Sequence, residues 1–188
     1  MPVRVGARPA RGPALPIELL AVAALGALHS LTFVHTGGWW VQMLLVALLA
    51  WRVARAGAWH AALLGWLFGT AWLGAGTWWM FVSLHRYGGL PAWLAALAVA
   101  LLCALLSLYL AAAMALFARW RCRNAALDAV LFAATWLLAE LARGVIFTGF
   151  PWLASGYAQV DAPLAVLAPW LGVYGLGAVV AALAAWVA

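Results

Sequence analysis

Long apolar runs alternate along the chain with short segments rich in arginine, glycine or proline. A helix needs roughly 20 predominantly apolar residues to cross a bilayer, and most of the runs are near that length. The pattern predicts an all-α integral membrane protein, a bundle of about six transmembrane helices that forms one domain over residues 1–188. The predicted spans are 16–34, 39–55, 58–82, 91–118, 125–146 and 164–188.

The composition agrees with this pattern. Hydrophobic residues make up 70% of the 188 positions and charged residues 7%, and the mean hydropathy is +1.08, which is more apolar surface than a soluble domain of this length could bury. The ten basic side chains are all arginine and give a net charge of +6. In so apolar a chain we attribute this charge to membrane topology, and we expect no nucleic-acid partner.

The arginines also predict an orientation. Eight of the ten fall on one side of the predicted membrane, which the positive-inside rule makes the cytoplasmic side. The N-terminus is then cytoplasmic, and the loops around 34–38, 83–90 and 147–163 face outward. The first apolar run resembles a secretory signal, but no small-x-small cleavage site follows it, so we predict an uncleaved span. The eight residues are Arg4, Arg8, Arg11, Arg52, Arg55, Arg119, Arg121 and Arg123.

Two charged side chains near the end of the fifth predicted span are the first candidates for a site. Glu140 and Arg143 are three residues apart, close enough to pair along one helix face. Either one would cost about 3 kcal/mol if it faced lipid at the bilayer centre. A rise of ~1.5 Å per residue from Ala125 puts Arg143 near the outer headgroups. Two interpretations remain open: a local ion pair that fixes packing, or an arginine placed for an anionic headgroup and oriented by Glu140.

Backbone breakers follow this pair at once. Gly149 and Pro151 do not continue a regular helix comfortably, so the chain should leave the helix and line a cavity or lie at the interface. A similar break at Gly88-Gly89 and Pro91 presents Arg86 and Tyr87 on the same outer side. Together the two loops suggest a site for an amphiphile. The candidate lipid-binding residues are Glu140, Arg143, Gly149, Phe150, Pro151, Trp152, Tyr157, Arg86 and Tyr87.

Other polar residues suggest structural roles. The four histidines lie in different segments without metal-ligand spacing, and the two cysteines, Cys103 and Cys122, form no disulfide framework, so neither a metal nor a cofactor is expected. Asp128 is expected to favour a helix N-terminus, and Asp161 to lie near the N-cap of the last span. Glycines of the third span, at Gly65 and Gly69, are expected to allow close helix packing within the bundle.

Three motifs then resemble one family, the bacterial apolipoprotein N-acyltransferases. They read E-x-x-R-G-x-x-x-T-G-F-P-W from Glu140 to Trp152, G-Y-x-Q-x-D-x-P-L from Gly156 to Leu164, and L-A-P-x-x-G-x-x-G from Leu167 to Gly175. The earlier segments 79–83 and 88–91 are similar too, although Phe81 stands where the family often has tyrosine. The resemblance covers roughly residues 60 to 180 in unbroken order.

The resemblance implies an enzyme of the bacterial inner membrane that takes an acyl chain from a phospholipid and transfers it to the N-terminal amine of a diacylglyceryl-cysteine lipoprotein. In that family the chemistry belongs to an outward-facing nitrilase-like domain with a Glu, Lys and Cys triad. This chain has no lysine, so we expect a truncated chain that lacks the triad and is catalytically incompetent alone. Its remaining role would be to hold the lipid substrates on the periplasmic side.

Two other functions stay open. A small transporter would place intramembrane charges along a pathway, but Glu140 and Arg143 lie toward one side and no inverted repeat is visible. A structural, lipid-binding membrane subunit that assists a separate catalytic chain is the other alternative. Co-purification of such a chain would distinguish it from an inactive fragment.

Overall fold

A computed structural model describes residues 14–188, so Arg4, Arg8 and Arg11 lie outside the described residues. Seven α-helices, α1 to α7, follow one another, and no strand occurs among residues 14–188. Their bounds are Ala14–Leu31, Trp39–Val53, Ala58–Gly76, Trp79–Val82, Ala92–Trp120, Ala125–Val145 and Ala168–Val187. Five π-helical residues, Ser83–Tyr87, continue α4.

The fold is that of an all-α membrane protein, as the sequence predicted. By length and composition, three helices of the described part are able to cross a membrane, and a shorter apolar helix, Leu15–Leu31, precedes them. The three are Ala92–Trp120, Ala125–Thr148 and Pro163–Val187. Six crossings remain a prediction.

The third and last predicted spans differ from the helices observed. The helix expected over 58–82 ends at Gly76, and the chain turns through Thr77 before α4 begins. At this helix end the Thr77 hydroxyl and backbone N–H both donate to the Leu73 carbonyl. Gly76 leaves no room for a side chain, because a Cβ there would lie 2.3 Å from Leu153 and 2.8 Å from the Ser30 hydroxyl. The last span begins as a short 3-10 helix, Pro163–Leu167, and α7 is kinked at Gly172, where φ is 63°.

Helix α3 lies at the centre of the bundle, packed against α1 and α5, while α6 packs against α5 and α7. Close packing depends on the glycines. A Cβ on Gly65 would meet Met114 at 2.6 Å, and one on Gly69 would meet Ser107 at 2.9 Å, so these glycines serve packing inside the bundle, as predicted. The core also contains aromatic side chains, with Trp72 stacked on Trp136 at 6.0 Å between ring centroids.

The two aspartates also find partners. Asp128 accepts hydrogen bonds from the backbone N–H groups of Cys122 and Arg123 and so ties the loop before α6 to its first turns. Asp161 was expected near the N-cap of the last span, and it lies one residue before that N-cap without its side chain capping the helix. Its carboxylate accepts from the Thr36 hydroxyl, and the residue that caps the next helical turn is Ala162, with no side-chain hydrogen bond.

The connections gather at two ends of the bundle. Leu153 against Gly76, and Asp161 against Thr36, bring segments 32–38, 77–91 and 146–167 together at one end, which we call the loop end. The connections 54–57 and 121–124 lie at the opposite end, which we call the arginine end. It carries five arginines, Arg52, Arg55, Arg119, Arg121 and Arg123.

Candidate functional site

The break after α6 leads into residues 146–167, the last of the three segments of the loop end. The helix stops at Val145, and the next residues reverse the chain so that the Phe150 N–H donates to the Arg143 carbonyl at 2.7 Å. This reversal requires left-handed backbone at Phe147, Thr148 and Gly149, with φ of 54°, 71° and 80°. Such conformations are costly for residues other than glycine and persist only where their surroundings hold them. The predicted departure from the helix is therefore present.

Arg143, on α6, donates hydrogen bonds to the backbone of this loop. Its Nη1 donates to the carbonyl oxygens of Phe150, at 3.2 Å, and of Trp152, and its Nη2 reaches that of Leu153 at 3.5 Å. The residue is only 4% exposed, with its guanidinium 5.6 Å from the centre of the Trp72 ring. The cation thus satisfies a row of carbonyls that a deep, irregular loop would otherwise leave unpaired.

Glu140 lies one turn earlier and is equally buried, at 3% exposure. Its Oε1 accepts the Ser155 backbone N–H at 2.7 Å and lies 4.0 Å from Arg143 Nη2. The two charges therefore compensate each other inside the protein, where an unpaired charge would be expensive. Both side chains bind the backbone of one loop. Arg143 binds the carbonyl groups of residues 150, 152 and 153, and Glu140 binds the N–H group of Ser155.

Further polar side chains from other helices converge on Ser155. Trp136 Nε1 donates to its hydroxyl at 3.1 Å, and Gln42 Nε2 donates to its carbonyl at 2.8 Å. Gln159 donates in turn to the Gln42 side chain. We call Glu140, Arg143, Trp136, Gln42 and Gln159 the anchoring network. It ties α2, α6 and the loop of residues 146–161 into one unit.

An open cleft lies beside this loop. Its volume is about 350 Å³, and it is lined by Phe33 from the end of α1 and by Pro151, Trp152, Leu153 and Tyr157 from the loop. Trp152 and Tyr157 are about half exposed. The lining is mainly apolar, so the cleft suits an alkyl chain better than a charged group.

The structure brings some of the predicted residues together and leaves others apart. Trp152 and Tyr157 meet in the cleft, and Trp79, whose segment leads to the second loop, lies 6.3 Å from Trp152 between ring centroids. Arg86 and Tyr87 are exposed, but they lie in the last turn of the π-helical segment Ser83–Tyr87 and not in the loop that was predicted over 83–90. Arg143 does not reach the cleft surface.

Sequence reasoning missed several residues of the network and the cleft. Gln42 could have been recognised from the sequence, because an amide side chain within an apolar span has to find a hydrogen-bond partner. Ser155 and Phe33 gave no such signal, since one is a serine among loop residues and the other an aromatic at a helix end. Their role depends on tertiary contacts.

We predict that Gly149→Ala destabilises the protein. Gly149 has φ of 80°, and a Cβ there would lie 2.0 Å from the Gly144 carbonyl oxygen, so both strain and overlap oppose a side chain. Thermal unfolding in detergent should show a loss of about 2 kcal/mol or more. Gly37→Ala is the control, since a Cβ there meets nothing within 4 Å. Equal unfolding temperatures for both variants would refute the strained-loop interpretation.

Nucleophiles and metal ligands do not gather near the cleft. Within residues 14–188, no group of three or more histidine, cysteine or acidic residues could hold a metal ion. Cys103 is buried, with its Sγ 3.7 Å from the Thr77 hydroxyl, and Cys122 is exposed at the arginine end. Neither thiol faces the cleft.

Comparison with known proteins identifies the family. The model of the apolipoprotein N-acyltransferase N-terminal domain matches residues 25–186. Among curated apolipoprotein N-acyltransferases, that of Verminephrobacter eiseniae is 58% identical over 151 residues, or 78% of this chain and 28% of the relative. That of Ralstonia nicotianae is 44% identical over 180 residues, or 91% and 34%, and that of Pseudomonas syringae 43% over 171, or 88% and 34%.

The chain thus spans about a third of the length of the curated relatives it matches. The family model nevertheless covers most of the chain, including α2 to α6 and the whole anchoring network. On these two grounds, the match over residues 25–186 and the identities above 40%, the chain belongs to the apolipoprotein N-acyltransferase N-terminal domain family.

Proposed function

We propose that this chain is the membrane part of an apolipoprotein N-acyltransferase of the bacterial inner membrane. Its work there is to hold lipid substrates at the loop end, which faces the periplasm. The substrates are a phospholipid that donates an acyl chain and a diacylglyceryl-cysteine lipoprotein whose N-terminal amine accepts it. The observation that carries this proposal is the apolar cleft on a loop that the anchoring network binds. The cleft is lined by Phe33, Pro151, Trp152, Leu153 and Tyr157.

The cleft supports the proposal because both substrates are amphiphiles. An acyl chain entering at the loop end would contact a mainly apolar lining, and the indole of Trp152 and the phenol of Tyr157 are side chains that prefer the membrane interface. Preorganisation adds to this. The anchoring network fixes the loop before any lipid arrives, so binding would not have to order it.

Charge at the loop end supports a division of roles. Arg143 is engaged by three loop carbonyls, so we propose that it positions Trp152 and Leu153 and does not contact a phosphate directly. Arg86 is exposed and joins no hydrogen bond or ion pair with residues 14–188. We therefore propose Arg86, beside Tyr87, as the contact for an anionic headgroup.

The acyl-transfer step itself is proposed to lie outside residues 14–188. A thiol nucleophile needs a base and an oxyanion stabiliser within hydrogen-bond reach. Cys103 is only 2% exposed, and Cys122 is at the arginine end, with Asp128 as its neighbour. Neither can meet a lipid in the cleft, so this chain alone would bind substrates without turning them over.

A binding measurement tests the cleft. We predict that Trp152→Ala weakens binding of a fluorescent diacylglyceryl-cysteine peptide to this chain in nanodiscs by about tenfold, since an aromatic wall worth roughly 1.5 kcal/mol is lost. Trp170→Ala is the matched control, because Trp170 is an exposed indole outside the cleft. Equal affinities of the two variants would contradict the cleft assignment.

A further inference from the structure

A second apolar groove lies between α3 and α5, at the arginine end and away from the cleft. Its volume is about 500 Å³, and its surface is almost wholly apolar. The groove exists because most of its lining residues are alanines, whose short side chains leave space between α3 and α5. These alanines include Ala58, Ala62, Ala111, Ala112 and Ala115.

A tryptophan and an arginine also line the groove, and both residue types are common at the membrane interface. Trp59 is 92% exposed, and Arg119 is exposed one residue before the end of α5. Helix α5 has 29 residues and is about 44 Å long, which exceeds the ~30 Å hydrocarbon core, so its last turn reaches the interface. From Arg119 the groove runs back to Ala111, about 12 Å toward the bilayer centre.

Arg119 has no anionic partner among residues 14–188. It makes no hydrogen bond or ion pair with any residue that the structure describes, and the four carboxylates of the chain are engaged elsewhere. Glu18 pairs with Arg52 and His60, Asp128 accepts from loop amides, Glu140 accepts from Ser155, and Asp161 accepts from Thr36.

Arg55, another arginine at this end, differs in this respect. Arg55 donates to the Trp51 carbonyl at 2.9 Å and lies over the Trp51 ring at 4.4 Å, so its guanidinium is already occupied. Arg119 instead lines an apolar groove of membrane depth. A cation at the interfacial end of an apolar groove complements a molecule with a phosphate at one end and a hydrocarbon chain at the other.

We propose that the α3–α5 groove is a phospholipid site, in which one acyl chain lies along the alanines and the phosphodiester of the headgroup contacts Arg119. The site faces the leaflet at the arginine end, opposite the leaflet that the cleft serves. It therefore holds a lipid that is not the substrate of the cleft. Trp59 forms the interfacial wall beside the headgroup.

Photocrosslinking tests the site. The chain is placed in nanodiscs with phosphatidylglycerol that carries a diazirine on one acyl chain, and labelled peptides are mapped by mass spectrometry. We expect label on residues 58–62 and 111–119 above that on other lipid-facing surfaces. Arg119→Gln should lower this label about fivefold, while Arg55→Gln should leave it unchanged.

A second pair of variants tests the groove itself. Ala112→Trp should fill the space and remove the label, whereas Leu105→Trp, at a lipid-facing position of α5 outside the groove, should not. Even labelling of all lipid-facing helices would overturn the proposal, as would unchanged label in Arg119→Gln. Crosslinked dimers that disappear in Ala112→Trp would show that a second copy of the chain occupies the groove, which overturns it too.

Discussion

Replacing Arg143 by alanine is expected to cost the protein about 3–5 kcal/mol of stability, because the change leaves Glu140 as an uncompensated buried charge and frees three loop carbonyls at membrane depth. The loop of residues 146–161 would lose the hydrogen bonds that it accepts from the Arg143 side chain on α6. Thermal unfolding of the purified chain in detergent measures the loss. Lipid binding in the cleft should fall with it, since Trp152 and Leu153 are positioned by this side chain.

Arg52→Ala is the matched control for this prediction. Arg52 also forms an ion pair inside the bundle, with Glu18, but at the arginine end and with 28% of its side chain exposed. In a chimera where this chain replaces the matching part of the Verminephrobacter eiseniae relative, Arg143→Ala should weaken acyl transfer more than Arg52→Ala. Equal losses of acyl transfer in the two variants, at equal protein levels, would contradict the positioning role of Arg143.

The second large effect is expected at Glu140. Glu140→Ala removes both the counter-charge of Arg143 and the acceptor of the Ser155 N–H, so a loss of about 3–5 kcal/mol is again expected. Glu140→Gln keeps an acceptor of the same shape and loses only the charge. It should therefore unfold at a temperature between those of the native chain and Glu140→Ala.

Thermal unfolding of the three proteins separates the two contributions. A glutamine variant as stable as the native chain would assign the role of Glu140 to its hydrogen bond alone. A glutamine variant as unstable as the alanine variant would assign it to charge compensation. If both variants kept the native stability, the anchoring network would have no structural importance and the account of the loop would fail.

The membrane fold was readable from the sequence because its signal is strong. Runs of about 20 apolar residues between arginine-rich or glycine-rich loops predict helices, and five of the seven observed helices, α1, α2, α5, α6 and α7, have bounds within about four residues of those expected. The break at Thr77 was not readable. Residues 78–82 are as apolar as the helix before them, so the composition does not mark the end of α3 at Gly76.

The candidate site was partly readable for a related reason. Two charges in an apolar span have to be compensated, so Glu140 and Arg143 stood out at once. The depth of Arg143 along the helix suggested a headgroup as its partner, whereas the loop folds back over the guanidinium and supplies carbonyls. Residues without charge that complete the arrangement, such as Ser155 and Phe33, are visible only once the helices are packed.

The most direct test of the central claim is crosslinking from the cleft. A photoactivatable amino acid in place of Tyr157, in the chain held in nanodiscs, is irradiated with and without a diacylglyceryl-cysteine peptide, and the same residue in place of Trp170 serves as control. If the cleft holds the lipid substrates, the Tyr157 position captures the peptide and its capture of phospholipid falls as peptide is added. Equal, uncompeted phospholipid capture from both positions would contradict the account.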